Sequence, residues 1–147
     1  MRTPGALVVI DTNVWISGLI SMVGPPGQLT RRVIRNGQPV FTASTFDELK
    51  ERLWRPKFDR YVSMEQRQAL LENLDAAARW VKVTPEIAAR TFCRDPDDDK
   101  FIHAALSAQP VWLITGDKDL LVLTETLLPQ GVRILSPADA VASPAFL

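Results

Sequence analysis

Cysteine, histidine and long apolar runs are all scarce in this chain. Cys93 is the only thiol among 147 residues, so no internal disulfide can form and no cysteine-based zinc site can be built. The thiol count fits a reducing cytoplasm. The apolar run of residues 6–10 is stopped by Asp11, and no stretch approaches the roughly 20 apolar residues of a membrane-spanning helix. We therefore expect a cytoplasmic protein that is neither secreted nor inserted into a membrane.

Net charge is also lacking, because 17 basic side chains balance 17 acidic ones. The chain therefore has no general attraction for nucleic acid. The charges are unevenly distributed, however, since residues 95–119 hold six aspartates and arginines cluster in residues 31–35 and 52–67. An acidic pocket flanked by a basic surface is what a metal-dependent nuclease needs. The length fits one domain, residues 1–147.

Short apolar runs rich in β-branched residues predict strands at residues 6–10, 39–42, 111–115 and 132–135, with a weaker strand at 81–83. Helical patterns separate them. Ser44 with Asp47 and Ser63 with Gln66 resemble capping boxes, the second opening a helix through Trp80. Asp95 with Pro96 opens another helix through Gln109. This alternation predicts an α/β fold with a mostly parallel sheet of four or five strands.

Four acidic residues stand where such a sheet would gather them. Asp11 follows the first strand, and Asp117 comes two residues after the strand of residues 111–115. Glu48 and Asp99 lie near the starts of helices. Ligands of parallel sheets bind beyond the carboxyl ends of the strands, so all four can point into one crevice. Crowded carboxylates repel one another, which indicates a divalent cation and metal-assisted chemistry on a phosphate ester.

The sequence around these acids resembles the motifs of PIN-domain ribonucleases, and in particular a bacterial family of PIN-domain toxins from toxin–antitoxin pairs. The matching segments are VIDTNV (9–14), SxxxEL (44–49), DPDDDKFIHAA (95–105), ITGDKDLL (114–121) and ILSP (134–137). They extend over residues 6–139 in the family's order and spacing, so the match covers nearly the whole chain.

The resemblance implies a three-layer α/β/α fold around a parallel sheet. It also implies an endoribonuclease that uses Mg²⁺ or Mn²⁺, bound by acids that transfer to Asp11, Glu48, Asp99 and Asp117. RNA is the implied substrate and an antitoxin protein the implied partner. Self-association, through the helices of residues 28–80, is a further implication.

Carboxylate oxygens suit Mg²⁺ and Mn²⁺, so each acid has an expected role. Asp11 and Asp99 are the expected main ligands. Glu48 would bind metal or orient the attacking water, and Asp117 would bind directly or through water. The supporting residues expected around them are Asn13, Ser44 and Thr115, with Asp95 and Asp119 as weaker candidates. Whether one ion acts or two is left open.

Several other residues have simpler interpretations. Asp97 and Asp98 are expected only to complement a helix dipole. Trp15 and Trp54 are expected near the cleft or an interface, as weak candidates for base contacts. Two alternative functions remain: a non-catalytic RNA-binding or scaffold protein, and a phosphoryl-transfer domain with a phosphorylated aspartate. The second is disfavoured because Asp11-Thr-Asn13 lacks an Asp-x-Asp spacing.

Overall fold

A computed structural model describes residues 5–146 of the chain. Its strands are β1 (Leu7–Ile10), β2 (Gln38–Phe41), β3 (Arg79–Trp80), β4 (Val111–Ile114) and β5 (Val132–Leu135). Its α-helices are α1 (Thr12–Ile20), α2 (Pro25–Asn36), α3 (Ala43–Leu53), α4 (Met64–Ala77), α5 (Pro85–Ala88), α6 (Asp99–Leu106), α7 (Lys118–Leu121), α8 (Thr124–Leu127) and α9 (Pro137–Ala142). Short 3₁₀ segments occupy Pro56–Phe58, Pro96–Asp98, Leu128–Gln130 and Pro144–Phe146.

The five strands form one sheet in the order β3-β2-β1-β4-β5, and every neighbouring pair is parallel. β1 lies in the centre, with Val8 opposite both Pro39 of β2 and Trp112 of β4. The chain moves from β1 to β2 on one side and returns to β4 on the other. The strand order therefore reverses at β1, and the crevice beyond β1 and β4 is the expected ligand position.

Successive residues of a strand point to opposite sides of the sheet, so the apolar strands give the sheet two apolar faces. Helices cover both of these faces. Val8 and Ile10 pack into one apolar cluster with Leu29 and Leu49, from α2 and α3. Val9 packs into a second cluster with residues of α6, such as Ile102. The three-layer α/β/α architecture predicted from the sequence is thus confirmed. Within residues 5–146, every helix is too short or too polar to cross a bilayer.

The helix after β2 begins two residues earlier than the sequence pattern predicts. Its N-cap is Thr42, whose hydroxyl accepts the N–H of Thr45 at 3.1 Å, while the Thr45 hydroxyl accepts the N–H of Thr42 at 3.0 Å. Ser44 was predicted as the cap, with Asp47 as its partner, and this is wrong. The Thr42 and Thr45 hydroxyls lie closer to β2 and accept the free N–H groups at the start of the helix, so the helix begins there. The predicted box of Ser63 with Gln66 is confirmed at the start of α4.

The third strand also lies earlier than predicted, because α4 ends at Ala77 and not at Trp80. Arg79 and Trp80 then pair with Val40 and Phe41 of β2. The Trp80 ring contacts Phe41 at 6.0 Å between centroids, so cross-strand aromatic packing determines the register here and not the apolar run of residues 81–83.

Trp15 does not lie at the cleft or at a surface. Only 2 % of it is exposed, and its ring stacks on Phe41 at 6.0 Å within the core. The prediction that it contacts bases is therefore wrong, because helix α1 turns this side chain towards the sheet.

Candidate active site

Asp11 joins the end of β1 to the start of α1. Its backbone N–H donates to the carbonyl of Ile114 at 2.9 Å, which ties the ends of β1 and β4 together. Its side chain caps α1, with Oδ1 accepting the Asn13 N–H at a long 3.5 Å. The residue is 5 % exposed, so its carboxylate lies at the base of the crevice.

Thr115 links Asp11 to Asp117 across the ends of these strands. Its fully buried hydroxyl donates to Asp11 Oδ2 at 2.8 Å and accepts the N–H of Asp117 at 3.0 Å. Asp117 in turn caps α7, since its Oδ1 accepts the N–H of Asp119 at 2.9 Å. This hydroxyl lies 104 residues after Asp11 in the chain, and it connects the two acids.

Asp11 and Asp117 line the same open cavity, of about 340 Å³, together with Asn13 and Ser17 of α1 and Gly116. Burial raises the pKa of Asp11, and hydrogen bonds from Thr115 and the Asn13 amide act against that shift. The negative fields of Glu48 and Asp117 raise the pKa further. The acids of the site thus concentrate negative charge around Asp11, and the groups bonded to the Asp11 carboxylate carry no positive charge to balance it.

Asp98 also belongs to this electrostatic group, although the sequence pattern assigns it only to a helix dipole. Burial raises its pKa to about 6, with further contributions from Asp117, Asp95 and Asp11. Residues 96–98 form a 3₁₀ turn, capped by Asp95, and the α-helix begins only at Asp99. The predicted single helix through Gln109 is therefore divided, and it ends at Leu106.

Asp99 is held by the loop before it. Its Oδ1 accepts the N–H groups of Phe92 and Cys93 at 3.1 and 2.8 Å, and the residue is 4 % exposed. The Cys93 thiol contacts the same carboxylate. Burial raises the pKa of Cys93 to about 12, and the hydrogen bond to Asp99 is the next cause. In the metal-free protein the thiol therefore stays protonated at neutral pH.

Glu48 is engaged by side chains on both of its oxygens. Oε1 accepts from Arg52 at 2.9 Å and from Lys100 at 3.1 Å, and Oε2 accepts from the Thr12 hydroxyl at 2.5 Å. Glu48 lines a neighbouring groove, together with Ser44 and with charged residues such as Arg55. It does not line the cavity of Asp11 and Asp117.

The five supporting candidates differ in their positions. Thr115 contacts both acids as described, and the Asn13 side chain lines the cavity. Ser44 lines the Glu48 groove. The Asp95 carboxylate accepts the Asp97 N–H, and Asp119 meets Asp117 through its backbone amide.

Three residues around Glu48 were missed by sequence reasoning. Arg52 carried a readable signal, because a glutamate four residues before an arginine on a helix forms an ion pair. Lys100 and Thr12 carried none, since their contacts with Glu48 span 52 and 36 residues. Only the packing of α6 and α1 around α3 brings them there.

The cavity offers oxygen donors, the ligands that a hard divalent cation prefers. Among residues 5–146, no three or more His, Cys, Asp or Glu side chains are arranged as a ligand cluster. Asp11 and Asp117 nevertheless present carboxylate oxygens to one open cavity. Mg²⁺ is commonly held by one or two carboxylates, waters and substrate phosphates. The pair therefore fits such an ion.

The fold and the site together define an α/β protein with an acidic crevice at the switch point of a parallel sheet. The family model of the PIN domain matches residues 7–119, so the chain belongs to the PIN-domain family. It is also 35 % identical over 119 residues to an uncharacterized protein of Methanocaldococcus jannaschii, an alignment that covers 80 % of this chain and 75 % of that one.

Two solved structures resemble the fold. One is VapBC-1 from nontypeable Haemophilus influenzae, with a TM-score of 0.55, 19 % identity, and coverage of 90 % of this chain and 98 % of the matched chain. The other is VapBC2 from Rickettsia felis bound to a promoter DNA fragment, with a TM-score of 0.54, 10 % identity, and coverage of 88 % and 98 %. At these identities the likeness concerns the fold.

Proposed function

We propose that this protein is a divalent-metal-dependent endoribonuclease that hydrolyses RNA phosphodiester bonds, and that it acts as the toxin of a toxin–antitoxin pair. One observation carries the proposal. Asp11 and Asp117, joined by the Thr115 hydroxyl, line one open cavity at the switch point of the sheet. Membership of the PIN family supports it, because PIN domains are generally nucleases.

The acids have distinct proposed roles. Asp11 and Asp117 would hold a Mg²⁺ or Mn²⁺ ion, and Asp99 would complete its surroundings directly or through water. The amides that fix the Asp99 carboxylate would orient it for that role. A bound ion of this kind lowers the pKa of a coordinated water and stabilises charge on the phosphate. Glu48, whose carboxylate accepts from the hydroxyl of Thr12, the residue after Asp11, would orient the attacking water from the neighbouring groove.

The substrate and partner are inferred from relatives. RNA is the expected substrate for this family resemblance, and single-stranded regions suit an open cavity in which an exposed backbone can reach the carboxylates. The solved relatives are VapBC complexes, which supports a cognate antitoxin for this chain. Self-association through the helices of residues 28–80 stays a prediction.

Cleavage of a defined single-stranded RNA in Mn²⁺ tests the activity. We expect cleavage products with the wild-type protein and none with chelator present. The cleavage rate of Asp11→Asn should fall about 100-fold or more, because losing a direct metal ligand should cost at least as much as losing an outer partner. The matched control is Asp75→Asn, an exposed acid on α4. A DNA strand of the same sequence should stay intact.

Equal cleavage by wild-type and Asp11→Asn protein would overturn the proposal. RNA binding in Mn²⁺ without any cleavage would instead support the non-catalytic alternative. The toxin assignment has its own test, which is induced expression in a bacterial host. Growth should stop with wild-type protein and continue with Asp11→Asn, and equal growth in the two cultures would contradict a toxin.

A further inference from the structure

Glu48 differs from the other acids of the site because cations of the chain itself already surround it. Arg52 and Lys100 both donate to Oε1, at 2.9 and 3.1 Å. The Thr12 hydroxyl donates to Oε2. The Glu48 side chain is 6 % exposed, and those of Lys100 and Arg52 are 18 % and 29 % exposed. Both oxygens are therefore engaged in a largely buried cluster.

Replacing these partners by a metal ion would be unfavourable. A divalent ion on Oε1 would have to displace Lys100 and Arg52 or lie against their positive charges. Like charges at such distances repel strongly where solvent is partly excluded. Lys100 would lose its most buried partner and keep only Asp97, at 3.3 Å, whose side chain is 65 % exposed. A mostly buried cation that loses its ion pair is costly.

The situation of Asp11 and Asp117 is the opposite. Their contacts are neutral donors, the Thr115 hydroxyl and backbone amides. A divalent ion would therefore be favoured in their cavity, whereas at Glu48 it would meet two cations of the chain.

The inference rests on the proposed function. We propose that Lys100 and Arg52 neutralise Glu48 in place of a metal ion, and that the site binds a single divalent ion, at Asp11 and Asp117. Lys100 is then a positioning residue, which holds Glu48 beside the metal as an outer carboxylate. Two-metal sites need ions about 3.5–4 Å apart, and on Glu48 the place of a second ion is taken by the ammonium of Lys100 and the guanidinium of Arg52.

Calorimetric titration of the metal-stripped full chain with Mn²⁺ tests this by stoichiometry, without reference to activity. We expect one equivalent per chain for the wild type. We also expect one equivalent for Glu48→Gln, with an affinity reduced by no more than about 10- to 100-fold, the usual effect of losing an outer-sphere partner. The double variant Lys100→Met with Arg52→Met should gain a second equivalent, and adding Glu48→Gln should remove it. Lys100→Arg, which keeps the charge, should stay at one.

Several results would overturn the inference. Two equivalents in the wild type, falling to one in Glu48→Gln, would make Glu48 a ligand of a second ion. Loss of all binding in folded Glu48→Gln would make it a ligand of the only ion. Either result would leave the proposed function standing. Absence of Mn²⁺ binding in the wild type would instead contradict the metal site itself. The Glu48→Gln variant keeps both Lys100 and Arg52. Its titration therefore tests the inference even where the double variant does not fold.

Discussion

A single hydroxyl organises the acidic site at the scale of residues. Thr115 accepts the Asp117 N–H, so its own proton is directed to Asp11 Oδ2. The hydroxyl is fully buried, and water cannot readily replace it. Asp11 is thus held by a neutral donor, which fixes its orientation without cancelling its charge. That combination suits a carboxylate that has to meet a cation.

Thr115→Val removes this hydroxyl with little change in shape. We expect Mn²⁺ affinity to fall about 10- to 100-fold. We also expect the free energy of unfolding to fall by about 1–3 kcal/mol, because a buried acceptor and a buried amide lose their partner. Calorimetric titration and denaturant unfolding measure the two effects. Thr115→Ser keeps the hydroxyl and is the control. Unchanged metal affinity in the valine variant would contradict the role given to Thr115.

The raised pKa of Asp98 predicts a pH dependence of stability in the metal-free protein. The folded state keeps the Asp98 proton up to about pH 6, whereas an ordinary aspartate loses it near 3.8. The folded state therefore binds more protons between these values, and its stability falls as pH rises through that window.

Asp98→Asn should remove this dependence. The variant should match the wild type near pH 4 and exceed it by about 1 kcal/mol at pH 7.5, a figure reduced for solvent screening. Thermal melts in chelator at both pH values provide the measurement. Asp139→Asn, an exposed acid on α9, controls for net charge. A variant less stable than the wild type at pH 7.5 would contradict the electrostatic account.

At the scale of elements, the start of α3 determines where Glu48 lies. The Thr42 and Thr45 pair joins the end of β2 to the first turn of this helix. Glu48 follows less than one turn later, so its carboxylate is placed beside Thr12 at the start of α1. The cap therefore affects the site as well as the helix.

Thr42→Ala should lower the free energy of unfolding by about 1 kcal/mol, the usual effect of losing an N-cap side chain. Ser44→Ala is a matched control, because Ser44 is exposed within the first turn and should change stability by less than about 0.5 kcal/mol. Chemical denaturation of the three proteins compares them. A larger effect at Ser44 than at Thr42 would show that the cap is misassigned.

Most elements could be predicted from the sequence, because every strand except β3 coincides with a short apolar run. The acids directly follow strands or start helices. β3 was misplaced because it has only two residues, too few for a periodic signal. Its position depends on aromatic packing with Phe41, which lies far away in sequence. The division of the predicted helix at Asp99 was missed because an aspartate cap followed by proline can open a 3₁₀ turn as well as an α-helix, and α6 has no side-chain cap of its own.

At the scale of the whole molecule, the parallel sheet explains why the acids of β1 and β4 meet. Adjacent parallel strands place their carboxyl ends at one edge, and the pairing of Ile10 with Ile114 sets Asp11 level with Thr115. This convergence was predictable from the sequence, because both acids come just after strands of a sheet predicted to be parallel. The separation of Glu48 into the neighbouring groove was not, since it depends on Lys100, which is brought there by the packing of α6 near α3.

The most direct test of the central claim is the anomalous diffraction of Mn²⁺ in crystals of the wild-type protein. The account predicts a single peak in the cavity between the carboxylates of Asp11 and Asp117, and none in crystals of Asp11→Asn. A peak on Glu48 in place of Lys100, or no peak near Asp11 at saturating Mn²⁺, would contradict it.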